Sequence, residues 1–341
     1  MRAVLVSAER TLEFVDIARP DHPGPDEVQV QIGAVALNHI DVWGWRGMAF
    51  AKRSLPIVAG AEAAGTVVAT GERVRDLAPG QTVALYGAQT CGECAACRDG
   101  RDNHCEKINN IYGFHIDGFF REAINIPARL AVPAPHGIDV VSAALAPIAF
   151  GTVEHMLFDN ARLHEGETVL IHAGGSGIGT AAIQLAKAAG ARVITTVGNE
   201  SKVDRARALG AEHVINYRSE RFESRVRKLT NGKGVDVVFE HVGRDTWQGS
   251  LLSLRRGGRL VTCGSTTGIS AQTNLFLLFQ QQLRLIGSFG CTRENMRNAM
   301  DKMAKGQVRA VIDSVIAVSE ITNALKRLED RQVFGKIVVQ L

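Results

Sequence analysis

The sequence has no apolar run approaching the ~20 residues that a membrane span requires. Its N-terminus, MRAVLVSAERTLEF, carries a short apolar patch without the layout of a signal peptide. Together these absences set the expectation of a cytoplasmic protein with no membrane partner. Blocks of like charge are also missing. The 39 Lys and Arg against 35 Asp and Glu leave a formal net charge of +4, spread along the chain. That is a weak hint of anionic ligands and not a nucleic-acid footprint. No internal repeat or low-complexity tract breaks the 341 residues, a length that suits two ordinary domains. Hydrophobic residues at 45% and charged residues at 22% give the balance of a globular protein. Cysteine is scarce at six residues, and without a secretion signal it points to metal or free thiols before disulfides.

What is present falls into two textures. The first half is rich in short strands and turns. Val28–Ile32 alternates as a half-buried strand does, and Thr66–Ala69 and Thr82–Leu85 are β-branched runs bounded by glycine. From about Gly166, short apolar runs alternate with helix-length segments, the pattern of βαβ units and a parallel sheet. ETVLIHAG, ARVITTV, EHVINY, VDVVFEHV, GRLVTCGS and LRLIGSF read as six strands, enough for a complete doubly wound sheet. An amphipathic helix around Ser319–Leu328 and a strand, Gly335–Val339, return the chain to the first half.

The first of the six strands runs into His172 and then AGGSGIGTAAIQLAKAAGA. Glycine has no Cβ, so the backbone turns tightly and a pyrophosphate approaches closely, while the next helix aims its unpaired N–H groups at that anion. A strict GxGxxG would need glycine at Ser176. The placement after an apolar strand and before an Ala-rich helix nevertheless favours a dinucleotide over an empty turn. The expected binding set is Gly174, Ser176, Gly177, Ile178 and Gly179, with Cys263 after the fifth strand and Phe289 after the sixth. Cys263 and Cys291 also read as small buried residues. NAD binders place an acid at the end of the second strand. Here Gly198 stands in that place, and Ser201, Lys202, Tyr217 and Arg218 can surround a 2′-phosphate. That predicts NADPH. Glu200 weakens the prediction, and a solvated lysine is the other reading of Lys202.

Cys91, Cys94, Cys97 and Cys105 form CxxCxxC followed by a fourth cysteine. Four thiolates suit tetrahedral zinc with no open position, hence one structural zinc per chain; free thiols or a redox pair are the alternative.

With these motifs the chain resembles the medium-chain dehydrogenase/reductase superfamily, that of zinc alcohol dehydrogenases and quinone oxidoreductases. The likeness covers nearly the whole length: ALNHIDVWGWRG, GAEAAGTVVATGERV, the four cysteines, HAGGSGIG, GAEHVINYR and FGKIVVQL. It implies an α/β protein with a GroES-like β-rich catalytic domain, residues 1–148 and 288–341. A doubly wound Rossmann domain, 149–287, is inserted into it, with the active site in the cleft. It also implies a small-molecule substrate and a homodimer or homotetramer, for which the apolar run Leu275–Phe279 is either a dimer edge or buried core.

The departures from the family pattern carry the functional expectation. Metal-using members bind catalytic zinc at positions that correspond here to Asn38, Ala61 and, near the third, Ile148. All three ligands are lost, while Glu62 and Asp41, which surround the ligands in those enzymes, remain. In the quinone type, the residues matching Asn38 and Thr152 contact nicotinamide. Without a Lewis acid to hold an alkoxide, easier hydride acceptors are conjugated ones, whose charge spreads onto an oxygen that donors can hold. The expectation is an NADPH-dependent reductase of an activated double bond or quinone, with Asn38, His39, Asp41 and Thr152 as candidate catalytic residues. His39 and Asp41 equally suit structural roles. Trp43 and Trp45 suit a substrate wall or the core, and His241 suits the cofactor or a capped strand end. One rival is a zinc-dependent alcohol dehydrogenase using His39, Asp41, Glu62 and His155. Another is a non-catalytic NADPH-binding sensor.

Overall fold

Val28, Val30 and Ile32 are buried and the residues between them are half-buried, so the alternating segment forms a strand, Glu27–Ala36, longer than the pattern alone predicts. The computed structural model describes residues 1–47, 53–108 and 110–341. These divide into two compact units, Met1–Gly151 with Cys291–Gly306 and Ile312–Leu341, and Thr152–Gly290 with Gln307–Val311. Both changes of unit fall three residues later than the expected 148/149 and 287/288, and Gln307–Val311 groups with the second unit.

In the first unit, seven strands form the main sheet. Glu27–Ala36 lies between Ala63–Thr70 and the C-terminal strand Lys336–Gln340, and also pairs with Ala123–Pro127. The C-terminal strand runs antiparallel, with Val338 opposite Ala36 and Val339 opposite Val35. Carried on in the same register, Lys336 comes opposite Asn38. That single pairing brings the two ends of the chain together.

The second unit is a six-stranded parallel sheet. Its spatial order is His213–Asn216, Arg192–Val197, Thr168–Ile171, Val235–Glu240, Leu254–Thr262 and Arg284–Gly287, that is 3-2-1-4-5-6 in chain order. All six expected strands are present. Leu170, Ile194, Val238 and Leu260 form the centre of its core. The order reverses at the first strand, which is the switch point where doubly wound sheets place ligands.

Two sequence readings change. One helical stretch, Val140–Asn160, is long and apolar enough by length and composition to cross a membrane, with a mean hydropathy of 1.5 in its most apolar window. That window is 78% buried, as in the core helix of a globular fold. Leu275–Gln280 is a short helix with no buried residue, Leu275 and Phe279 being 68% and 66% exposed. It is therefore a surface helix, with Leu277 and Leu278 packed against the core and Leu275, Phe276 and Phe279 exposed.

Candidate functional site

In the Rossmann unit, the strand Thr168–Ile171 delivers the chain to a turn that its own backbone closes. Ala173 takes a φ of 49°, Ser176 N donates to Ala173 O at 2.8 Å, and Gly174 N donates to Thr196 O at 2.8 Å. Ser176 caps the helix Gly177–Ala188, its hydroxyl accepting from Gly179 N at 2.9 Å. This accounts for serine where the strict motif has glycine. A Cβ on Gly179 would lie 2.2 Å from Ala173 O, and one on Gly174 would lie 2.3 Å from Thr195 Oγ1. Both glycines are therefore required by the tightness of the turn. The first-turn N–H groups of Gly177 and Ile178 have no acceptor within the helix, which is the arrangement that receives a phosphate.

Behind the turn lies a buried relay that the sequence reading missed. Ala173 N donates to Thr196 Oγ1 at 3.1 Å, which lies 3.2 Å from His172 Nδ1. His172 Nε2 lies 2.8 Å from Ser250 Oγ, and Ser250 donates to Glu240 Oε2 at 2.8 Å. Burial lowers the His172 pKa, so the ring is neutral at physiological pH, and the relay ties three strand ends to the turn. His241 Nε2 bonds His172 O at 2.9 Å, the strand-end reading of that histidine. The Cys263 thiol is pushed up to about 12 by burial, while Phe289 is exposed.

At the end of the second Rossmann strand, Tyr217 lies against Gly198. A Cβ there would meet Tyr217 Oη at 2.3 Å. Tyr217 N donates to Val197 O at 3.1 Å, which fixes the backbone below the ring. Asn199 turns the chain, its Oδ1 accepting from Ser201 N at 3.0 Å. Ser201, Lys202, Tyr217 and Arg218 thus come from two neighbouring strand ends, and Glu200 is occupied by Asn216 Nδ2 at 3.2 Å.

In the first unit, of the three positions that the resemblance matched to metal ligands, Ala61 and Ile148 have no side-chain donor atom and the Asn38 oxygen is engaged. Instead, Lys336 Nζ lies 2.8 Å from Glu62 Oε2 and 2.6 Å from Asn38 Oδ1, with Lys336 and Glu62 both buried. Asn38 Nδ2 donates to Ala36 O and to Glu62 Oε2, each at 3.0 Å. Glu62 Oε1 accepts from Ile148 N and Ala149 N, each at 2.6 Å. Asp41 accepts from Asn38 N at 2.8 Å and from Ala61 N at 3.2 Å, and burial pushes its carboxyl up to about 6. Lys336 is the member that sequence reasoning missed. Its one signal is a lysine opening an otherwise apolar strand, KIVV.

The other candidates have surroundings of their own. His155 Nδ1 bonds Asp159 at 2.8 Å, and the His39 ring stands edge-on to Trp43, 6.4 Å between centroids. Trp45 is core, Trp43 is half-buried, and Thr152 is buried at the start of the second unit.

The four lobe cysteines come together, every pair of their sulfurs lying within 4.8 Å. Cys91 Sγ is 3.6 Å from Cys105 Sγ and 3.9 Å from Cys97 Sγ. Tetrahedral thiolates around zinc at ~2.3 Å are ~3.8 Å apart, so the donor set fits. Backbone N–H groups of Glu93 and Cys94 bring the Cys91 thiol down to about 6, and burial pushes Cys97 up to about 12. Arg293 anchors the lobe through Asp102 Oδ2 at 3.0 Å and Arg129 O at 3.1 Å.

Residues 24–136 match the family model of the alcohol dehydrogenase GroES-like domain, and residues 177–305 match that of zinc-binding dehydrogenases. The chain is 30% identical to an acryloyl-coenzyme A reductase of Metallosphaera sedula, covering 99% of each chain. It is 32% identical to a quinone oxidoreductase of Pseudomonas aeruginosa, covering 96% of this chain and 95% of that one. A solved structure of an NAD-dependent alcohol dehydrogenase superposes over 100% of both chains with a TM-score of 0.94 and 37% identity.

Proposed function

Because this chain belongs to the medium-chain dehydrogenase/reductase superfamily, we propose that it is an NADPH-dependent reductase of activated double bonds or quinones that works without a catalytic metal. The observation that carries this is the filled metal position. Ala61 and Ile148 offer no donor atom, and Asn38 is held by Lys336 and Glu62. The names of the two reductase relatives support the same substrate classes.

When bound, the nicotinamide supplies the hydride. The turn at Gly174–Gly179 holds the pyrophosphate, and Ser201, Lys202, Tyr217 and Arg218 receive the 2′-phosphate. The Asn38 carboxamide has both N–H groups engaged and offers an acceptor oxygen. Asp41 keeps the Asn38–Ala61 backbone in place. Cys91, Cys94, Cys97 and Cys105 would hold one structural zinc, with no position open to substrate. The protein is proposed to be cytoplasmic; the exposed helix at Leu275 and Phe279 supports a homodimer or homotetramer, which light scattering reads.

A panel of quinones, enones, enoyl-coenzyme A esters and aldehydes, each with NADPH and NADH, tests the activity, and metal analysis tests the site. One zinc per chain and NADPH consumption with a conjugated acceptor support the reading. Two zincs per chain, or turnover confined to alcohols and aldehydes, overturn it in favour of an alcohol dehydrogenase. No turnover at all leaves a dinucleotide sensor.

A further inference from the structure

Lys336 is a buried charged group that the reading above uses only as the partner of Asn38, and its surroundings define its role further. Its ammonium, among the described residues, contacts Glu62 Oε2 and Asn38 Oδ1. A carboxylate only accepts hydrogen bonds and an ammonium only donates them. An asparagine carboxamide does both, and a half-turn about its last bond exchanges its oxygen and nitrogen. Between Lys336 on its oxygen side and Glu62 and the Ala36 carbonyl on its nitrogen side that exchange is forbidden. A flipped Asn38 would set its NH2 against the ammonium and its oxygen against the carboxylate and the carbonyl. Glu62 has no freedom to compensate, because its other oxygen is pinned by two backbone N–H groups at 2.6 Å.

We propose that Lys336 is a positioning residue: a fixed internal cation that helps lock the Asn38 carboxamide in one polarity and, through Glu62, holds the helical backbone at Ile148–Ala149, where the chain carries no metal ligand. The inference deepens the metal-free reading and rests on it. The strand pairing delivers the lysine to this place. Val338 lies opposite Ala36, and Leu37 N donates to Ile337 O at 3.0 Å, so the lysine one residue further on faces the loop after the strand. A buried pair of this kind contributes little net stability, but losing one partner strands the other. Stability and orientation can therefore be separated by mutation.

The test compares Lys336→Met, Glu62→Gln and the double variant, on whichever acceptor the wild-type enzyme turns over best. Lys336→Met leaves the Glu62 carboxylate without its cation, and Tm and kcat both fall. In the double variant the neutral glutamine relieves the stranded charge, and Tm recovers towards wild type. Its amide presents an NH2 to Asn38 while the Ala36 carbonyl still asks for one from it, so the carboxamide no longer has a single polarity and kcat stays about tenfold or more below wild type. Recovered Tm with depressed kcat supports the positioning role. A double variant that recovers wild-type kcat with Tm makes Lys336 a folding counter-ion and overturns the proposal, as does one no more stable than Lys336→Met. The metal-free reading fails on the wild-type enzyme alone, by its zinc count and substrate panel. The polarity lock fails on the ratio between variants.

Discussion

Gly198→Asp tests the cofactor reading most directly, because Gly198 stands where a carboxylate would choose NADH. The backbone there does not occupy the left-handed region, so a side chain brings no conformational strain of its own. The obstacle is Tyr217, whose Oη would lie 2.3 Å and Cζ 2.7 Å from the new Cβ. These atoms are the far end of a ring that is 41% exposed, so the ring can swing into solvent while its backbone stays bonded to Val197. That movement costs about 1 kcal/mol, a rotamer change and some lost packing. The electrostatic term is larger. A carboxylate about 5 Å from a phosphate of charge near −2, at an effective dielectric of about 40, is repelled by roughly 3 kcal/mol. NADPH should bind roughly a hundredfold more weakly. NADH, which gains a hydrogen bond from its ribose hydroxyl, should hold or improve by about 1 kcal/mol. Fluorescence titration of the wild type and the variant with each cofactor reads the effect. Lys202→Ala, measured alongside, should weaken NADPH and leave NADH unchanged. The reasoning is refuted if wild type binds NADH as tightly as NADPH. It is also refuted if Gly198→Asp weakens both equally, since the substitution would then have broken the Tyr217 packing and nothing else.

Gly179→Ala should abolish dinucleotide binding while leaving the sheet folded, since its Cβ would sit 2.2 Å from Ala173 O; cofactor titration and far-UV circular dichroism separate the two, and retained affinity would mean the turn opens freely. Cys97→Ser should drop zinc well below one per chain and expose the lobe around residues 91–105 to protease, because a three-thiolate site loses its closed tetrahedron; unchanged zinc content would place the metal elsewhere. Asp41 has a folded pKa raised from 3.8 to about 6. The folded state therefore holds its proton to higher pH than the unfolded chain, and ionisation between about pH 4 and 6 costs stability, by about 3 kcal/mol at most. Wild type should lose stability relative to Asp41→Asn as pH rises through that window, with no further divergence above it; parallel denaturation curves at pH 4 and pH 7 would show that Asp41 does not titrate there.

The Rossmann unit was legible in the sequence because its information is local. Each strand is a short apolar run, each connection is helix-length, and the glycine turn sits between the two. The four cysteines were legible for the same reason, since fourteen positions separate the first from the last and their spacing alone implies the cluster. Ser176 was less clear. The motif marks it as a departure, and only the bond to Gly179 N shows that it caps the helix. The apolar run at Leu275 could not be assigned without burial, since periodicity over five residues fits surface and core alike.

What the sequence hid are the partners of buried polar groups, because these are long-range by construction. Lys336 and Asn38 are 298 positions apart, and His172 and Ser250 are 78 apart. A buried donor must find its acceptor wherever the fold brings one, and nothing in a window of ten residues records where that is. The KIVV strand nevertheless held the clue. A lysine at a core-facing end of an apolar strand is too expensive to bury unpaired, so it demands a carboxylate from elsewhere, and Glu62 stood in the sequence without a metal to serve. Pairing the two would have required only the register of one strand against another. On the metal-free reading proposed above, Glu62 can be kept without a metal because Lys336, 2.8 Å away and buried with it, balances its charge.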